Sequence, residues 1–351
     1  MPYRRLRLMP ELPIDPVPVI DVHAHLFPRG LPDLTIRSGD RRWPVLDVDG
    51  DDARVVVAGA AVRRAGRTLW DVPARIAALD AAGVDVQVVS PVPVTLVPWA
   101  PAPLAAEWCA ALNGALAKAV SRSGGRLLGL GAVPLGPGKA SVDTAVAEAR
   151  RIRDRGLVGL ELPTLPGDRE LDDPELEPFW AAVAELELPL LVHPTDPGAT
   201  RRSGQPYQAG VGMLTDTGLA GTALVFGEVL DAYPRLRIAL VHGCGTLPWT
   251  YPRTLRVASM TGGAEADRTD RALRRLWADT LVFAPEHLGL VAHRVGADHL
   301  MIGTDDPLMP GQLAAAADEV AEAVRAGALD PAHERGVLGG NALRFLGITH
   351  A

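Results

Sequence analysis

Four short stretches of the chain carry side chains able to hold a divalent ion. The first is Val19-Ile20-Asp21-Val22-His23-Ala24-His25, an apolar run with two histidines two positions apart. In an extended strand residues i and i+2 face the same side, so both imidazoles can close on one ion. A lone His-x-His is weak evidence, because a turn or a packed core histidine gives the same pattern. The pattern recurs, however. His193 closes the run Leu190-Leu191-Val192, His242 closes Ile238-Ala239-Leu240-Val241, and Asp305 with Asp306 follows Met301-Ile302-Gly303-Thr304. Three imidazoles and a carboxylate suit Zn²⁺ or another borderline divalent ion such as Mn²⁺, with positions left open for water. Such an ion lowers the pKa of its water toward ~7 and supplies hydroxide at neutral pH. The alternatives stay open: His193 and His242 also read as core histidines, and Asp305 and Asp306 as turn residues before Pro307. The remaining histidines, His287, His293, His299, His333 and His350, read as surface or packing residues.

For these side chains to meet, the elements that carry them must converge at one end. Short apolar runs at 17–22, 84–90, 127–133, 158–162, 190–193, 237–242, 280–283 and 299–303 read as strands. Most are continuous Val-, Ile- or Leu-rich stretches rather than alternating ones, as expected of parallel strands buried on both faces. Amphipathic patterns at 75–82, 105–121, 139–155, 175–187, 222–232 and 285–295 read as the helices between them. Eight alternations of strand and helix predict an α/β fold, a (β/α)₈ TIM barrel, in which the C-terminal ends of the strands share one mouth. A doubly wound sheet is the runner-up, but no Gly-rich phosphate loop follows the first strand. Two stretches break the rhythm. Residues 30–70 hold two β-like runs around Asp49-Gly50-Asp51-Asp52 and predict a β-hairpin lid, while 194–217 predict a long loop over the same mouth. Residues 312–326 and 331–345 predict helices that close the barrel at the C-terminus.

Composition narrows the function further. The chain has 351 residues and 48% hydrophobic residues, within the range of one large barrel domain spanning 1–351 with a 30–70 insertion. No apolar run reaches the roughly 18 uncharged residues of a membrane span, and the basic start MPYRRLRLMP leads into Pro-rich sequence rather than a signal core. A cytoplasmic protein is expected. Cys109 and Cys244 are too few and too far apart for a disulfide framework. The net charge of −7 with no basic block beyond the N-terminal arm argues against nucleic acid and anionic membranes as partners.

Taken together, Ile-Asp-Val-His-Ala-His, Leu-Leu-Val-His-Pro, Val-His-Gly-Cys-Gly and Gly-Thr-Asp-Asp-Pro resemble the amidohydrolase superfamily. The likeness is to the branch typified by 2-amino-3-carboxymuconate 6-semialdehyde decarboxylase, and it covers nearly the whole chain. Residues 83–90 and Gly339-Gly340-Asn341-Ala342 add to it. The resemblance implies a metal-dependent, non-oxidative decarboxylase acting on a small unsaturated or aromatic carboxylate. It implies one zinc held by His23, His25, His193 and Asp305, with His242 as general base and then acid. It implies that Arg63 grips a substrate carboxylate, and that Arg253 reaches into the site of a neighbouring subunit in a homodimer. A planar guanidinium suits both tasks, although either arginine also reads as an exposed salt-bridging residue.

Three positions depart from the branch: Thr195-Asp196 replaces a Trp after the fifth-strand His-Pro, Cys244 replaces a Gly, and Asp306 replaces an aromatic. All three are expected to line the pocket, which leaves the substrate open. Many amidohydrolases bridge two metals with a lysine at the end of the fourth strand, but Lys118 and Lys139, the only lysines, lie elsewhere. A single ion is therefore expected, with Glu161 on the fourth strand the remaining candidate to bridge a second. Hydrolysis of an amide, lactone or carbon-carbon bond on the same barrel is the alternative reaction, and a retired, non-catalytic barrel the third reading.

Overall fold

A computed structural model describes residues 17–195 and 198–348; the basic N-terminal arm, Asp196 and His350 lie outside the described residues. β1 (Ile20–Leu26) is followed by a small antiparallel sheet of β2 (Val45–Asp49), β3 (Asp52–Val57) and β4 (Ala60–Gly66). Seven further strands then run parallel to β1: β5 (Val86–Pro91), β6 (Leu127–Ala132), β7 (Gly159–Pro163), β8 (Pro189–His193), β9 (Arg237–Leu240), β10 (Trp277–Asp279) and β11 (Leu300–Met301). The parallel strands pair in the order β1-β5-β6-β7-β8-β9-β10-β11. The last stretch returns to the first: Val22 N donates to Ile302 O at 2.8 Å and His25 N to Asp306 O at 2.7 Å. The expected eight-stranded barrel is present.

Two cores follow from alternation along the strands. Ile20, Val22, Val86, Val88, Leu130 and Leu191 belong to an inner cluster that Phe345 and Leu346 of the last helix also join. Ala24, Leu26, Val89, Leu160 and Leu190 belong to the outer layer beneath the helices. In β1 the register shifts between Asp21 and Ala24. Such a bulge re-aims side chains, and here it turns both His23 and His25 inward after Ile20 and Val22 have already faced that way. The helix Val72–Ala82 shows how local chemistry sets an element's ends. The Asp71 side chain accepts from Ala74 N, Pro73 sits in the first turn, and Gly83 at φ 68 closes it, a combination that favours both termini.

Several expectations need correction. The seventh barrel strand is Trp277–Asp279, not 280–283; Leu281 and Val282 belong to the loop that follows, and Phe283 there is exposed. The lid is a three-stranded sheet rather than a hairpin, because 60–66 pairs back onto 52–57. The stretch 194–217 is only partly loop: a helix begins at Tyr207 and continues as Met213–Phe226. The helix expected over 222–232 is two, ending at Phe226 and restarting at Val229, since Gly227 breaks it. Helices Leu247–Met260 and Ala266–Leu273 had no counterpart in the sequence pattern. The stretch 331–345 is interrupted, with its α-helix confined to Asn341–Leu346. The run Tyr207–Phe226 has the length and mean hydropathy, 1.3, of a membrane span, yet nearly half of it is buried in the protein and it packs against Leu247–Met260.

The lid sheet leaves the barrel after β1 and returns before Val72–Ala82. Its two ends are clasped by Phe27 N donating to Leu69 O at 2.8 Å. Beneath it Phe27, Ala53, Val55, Leu69 and Val92 form a separate apolar cluster that seats the sheet on the barrel mouth.

Candidate metal centre

The strand ends bring His23, His25, His193 and Asp305 together, with one donor atom of each lying within 4.8 Å of all the others. Backbone geometry aims them. His25 Nδ1 lies 3.1 Å from Pro91 O and His193 Nδ1 2.6 Å from Pro194 O. A carbonyl can only accept, so both rings carry their proton on Nδ1 and turn a bare Nε2 toward the centre. His23 Nδ1 lies 2.7 Å from Asp279 Oδ2, which orients the third ring in the same way.

The four facing atoms are His23 Nε2, His25 Nε2, His193 Nε2 and Asp305 Oδ1, and each is buried with no hydrogen-bond partner. Asp305 Oδ1 stands 3.0 Å from His25 Nε2 and 3.7 Å from His23 Nε2, close but without hydrogen-bond geometry. Buried polar atoms are almost always paired. Four unpaired donors converging on one point, all nitrogen or oxygen, fit a divalent ion.

Electrostatics agrees. Burial pushes His193 well below the ordinary imidazole range, and the charges of His25 and His23 push the same way. Burial also opposes charge on His23, but the hydrogen bond to Asp279 and the charges of Asp279, Asp305 and Asp21 outweigh it and lift its pKa to about 9. Burial raises Asp305, yet His25 beside it and the charges of His23 and His193 hold its carboxyl well below the usual range. Two carboxylates thus make the centre a place that favours added positive charge.

His242 stands beside the quartet and outside it. Its ring centroid is 5.3 Å from that of His23 and 5.2 Å from that of His193, and its Nδ1 is buried without a partner. Burial and the neighbouring His23 charge lower its pKa to about 4, so the ring is a neutral proton acceptor at pH 7. It sits on a turn in which His242 and Gly243 both have left-handed backbones, φ 55 and 57.

Above the quartet is a small cavity. Its floor includes His193 and Asp305, its rim Pro93, Met213 and Leu308, and its roof Val55, Val62 and Arg63 of the lid. Arg63 donates weakly to Leu308 O at 3.5 Å and has no carboxylate partner among the described residues. Arg253 lies elsewhere, exposed on Leu247–Met260, and does not line the cavity of its own chain. Glu161 is fully buried with both oxygens unpartnered. It approaches His25 from the Nδ1 side, at 3.9 Å, away from the quartet's donor atoms.

The expectation that three departures line the pocket fails for two of them. Cys244 is buried in the outer core, its Sγ 3.9 Å from Trp277 O. Asp306 turns away to pair with Arg75 at 3.0 Å. Thr195 is half-buried, and Asp196 lies outside the described residues. Sequence reasoning does not single out Asp279, because Leu281-Val282-Phe283 draws the strand three residues too far along. The available signal was a carboxylate closing the run Leu276-Trp277-Ala278.

Known proteins share this architecture. The profile of the amidohydrolase family matches residues 20–348. A 2-amino-3-carboxymuconate-6-semialdehyde decarboxylase of Dictyostelium discoideum is 30% identical over 341 residues, covering 94% of this chain and 91% of the relative. The crystal structure of 5-carboxyvanillate decarboxylase from Sphingomonas paucimobilis superposes with a TM-score of 0.72 at 22% identity, over 95% of this chain and 100% of that one. A dihydroxybenzoic acid decarboxylase from Polaromonas sp. JS666, solved with bound manganese, superposes with a TM-score of 0.68 at 19% identity, over 95% and 98%.

Proposed function

The chain belongs to the amidohydrolase family over residues 20–348, and from that premise we propose that it is a metal-dependent, non-oxidative decarboxylase of a small unsaturated or aromatic carboxylate. The observation that carries this reading is the quartet of partnerless buried donors, set beneath a cavity lined by Arg63, whose guanidinium has no carboxylate partner among the described residues. That relatives at up to 30% identity include named decarboxylases supports the same reaction. An arginine that lines the same cavity as His193 and Asp305 is suited to anchor a carboxylate, which favours decarboxylation over hydrolysis of an amide, lactone or carbon-carbon bond.

His23, His25, His193 and Asp305 would hold one divalent ion, zinc first and manganese next by donor type, which when bound supplies Lewis acidity toward oxygen. The chain's own residues do the rest. Arg63 binds an anionic group that the product retains, bidentately if the planes align. Val55, Val62 and Leu308 pack on the planar body and exclude water. The bond to the carboxylate carbon breaks, its electron pair stays on the substrate carbon, and carbon dioxide leaves. His242 takes a proton from water and delivers it from its ring to that carbon, and the hydroxide left by the water carries the negative charge that the carboxylate brought. Proton transfer of this kind contributes ~10² to 10⁴-fold.

The same reading includes a homodimer. Trp249, Arg253, Val257 and Met260 fall at helical spacing on Leu247–Met260, and the three apolar side chains are largely exposed. Burying that face against a second copy would bring Arg253 toward the partner's cavity. Both cysteines are free and buried, in keeping with a cytoplasmic location.

The test is release of carbon dioxide from unsaturated or hydroxyaromatic acids by the zinc- or manganese-loaded protein without oxidant or nucleotide. His242→Asn is expected to keep its metal while turnover falls by ~10² to 10⁴-fold; turnover at the wild-type rate would sink the assignment.

A further inference from the structure

Asp279, at the C-terminal end of β10, orients His23, and it does more: the residue is 1% exposed and its carboxylate accepts four hydrogen bonds. Oδ2 accepts from His23 Nδ1 at 2.7 Å and from His242 N at 2.9 Å. Oδ1 accepts from Gly243 N at 2.8 Å and from Leu281 N at 3.2 Å. One oxygen therefore touches both a residue of the quartet and the backbone of the proton carrier.

Two further observations show that this carboxylate does more than fill a turn. His242 has φ 55, a left-handed conformation that an L-residue with a side chain rarely adopts. It persists only where the surroundings impose it, and the N–H groups of His242 and Gly243 both point at Asp279. The fit also has no slack. A Cβ added at Gly303 would lie 2.5 Å from Asp279 Cβ and 2.9 Å from His23 Cβ, so the backbone just after β11 packs directly on the pair. The contrast with the other ligand histidines is informative. His25 and His193 are oriented by the carbonyls of Pro91 and Pro194, with Ser90 Oγ also 3.2 Å from His25 Nδ1, whereas His23 is oriented by a carboxylate, and that carboxylate is shared with the backbone of His242.

We infer that Asp279 is a positioning residue that fixes His23 for the metal and His242 for proton transfer as one rigid unit, so that metal affinity and turnover fall together when it is lost. A carboxylate behind a ligating histidine fixes the ring's tautomer and orientation. Here the same group also sets the distance from ligand to base. The inference rests on the metal reading above.

The test uses full-length Asp279→Asn, which keeps the size of the side chain and places an N–H donor where an acceptor is needed. Zinc affinity is read by competition with a chromophoric chelator, kcat and KM on the acid that the wild type decarboxylates, and imidazole N–H resonances by NMR of the zinc-loaded protein. Zinc binding is expected to weaken ~10 to 100-fold, and kcat to fall with it while KM stays near wild type. One solvent-protected imidazole N–H resonance, that of His23, is expected to vanish while those of His25 and His193 remain.

A folded Asp279→Asn protein with wild-type zinc affinity and kcat overturns the inference, as does loss of stability alone. If that variant does not fold, Gly303→Ala carries the test, since its new methyl displaces Asp279 without removing it. Zinc affinity and kcat should then drop together, and a drop in only one of them overturns the coupling. The wild type gives a third reading: absence of a protected His23 Nδ1–H resonance in the zinc-loaded protein overturns the inference without any variant. Wild-type protein that binds no divalent ion defeats the metal reading itself, and the first titration detects that before any variant is compared.

Discussion

Two buried polar clusters share β1 and differ in one respect. On the inner side of the strand His23 and His25 join His193 and Asp305 with their facing atoms unpaired. Asp21, on the same strand, belongs to the other cluster, where the counterpart atoms all have partners. Arg75 donates to Thr68 O at 2.8 Å, to Gln87 Oε1 at 2.6 Å, to Asp306 Oδ2 at 3.0 Å and to His25 O at 2.5 Å. Gln87 Nε2 and Thr304 Oγ1 donate to Asp21 Oδ2 at 2.8 and 2.6 Å. Both clusters are buried and charged, so burial and charge alone do not mark a functional site. Satisfaction does. The Arg75 cluster is closed on itself and ties the helix Val72–Ala82 to the first and last strands, while the histidine cluster is complete only with something added.

That contrast can be broken from either side. The largest effect should come from His25→Ala or from exhaustive chelation, each abolishing turnover. Zinc added back to the chelated wild type restores it, and a variant still active after chelation would remove the metal from the account. Next, Arg75→Met leaves Asp306 buried without its cation, and breaking a buried pair in this way costs ~3–5 kcal/mol. Urea unfolding should show that loss while the folded fraction keeps one zinc per chain by elemental analysis. A loss of zinc with unchanged stability would reverse the roles of the two clusters. A smaller effect is expected of Arg63→Met, which touches neither cluster. Losing a charge-assisted hydrogen bond of ~1.5–3 kcal/mol should raise KM ~10 to 100-fold with kcat less affected, read from steady-state kinetics. The smallest is Asp71→Ala, which uncaps the helix that delivers Arg75. About 1 kcal/mol of stability should be lost with zinc affinity unchanged by chelator competition.

The quartet was legible in the sequence because its chemistry does not depend on exact element boundaries. Histidines and aspartates closing apolar runs stay at the barrel mouth even if a strand is misplaced by two or three residues, as β1 shows: the run read as 17–22 is Ile20–Leu26. Where the signal is a partnership rather than a residue type, the reading fails. Asp306 is expected to face the pocket because it stands where the branch has an aromatic, yet adjacent residues on a turn face different ways and a buried guanidinium claims it. Asp279 escaped notice because a three-residue strand is too short for its periodicity to outweigh the apolar residues after it. Leu247–Met260 has a different reason: its prolines are breaker signals, but Pro248 lies in the first turn, where a proline costs no intrahelical donor, and Pro252 lies inside the helix, where the Pro248 carbonyl it leaves free accepts from Arg294 Nε at 3.1 Å instead. Register shifts such as the one that turns His23 and His25 inward are set by strand pairing, which no local pattern encodes.

The clasp between Phe27 and Leu69 has a consequence for how such a protein can change. Because the two ends of the inserted sheet are already held together, the entropy of closing the segment between them depends only weakly on its length, about 0.6 kcal/mol per doubling. Everything between the clasped residues can therefore be exchanged as a cassette without reopening the barrel. Arg63 lies inside that cassette and the four metal-facing residues lie outside it. Under the roles proposed for Arg63 and the quartet, the part that recognises an acid and the part that performs the chemistry are separately heritable, and a graft of 28–68 from a relative is expected to transplant substrate preference without changing the reaction.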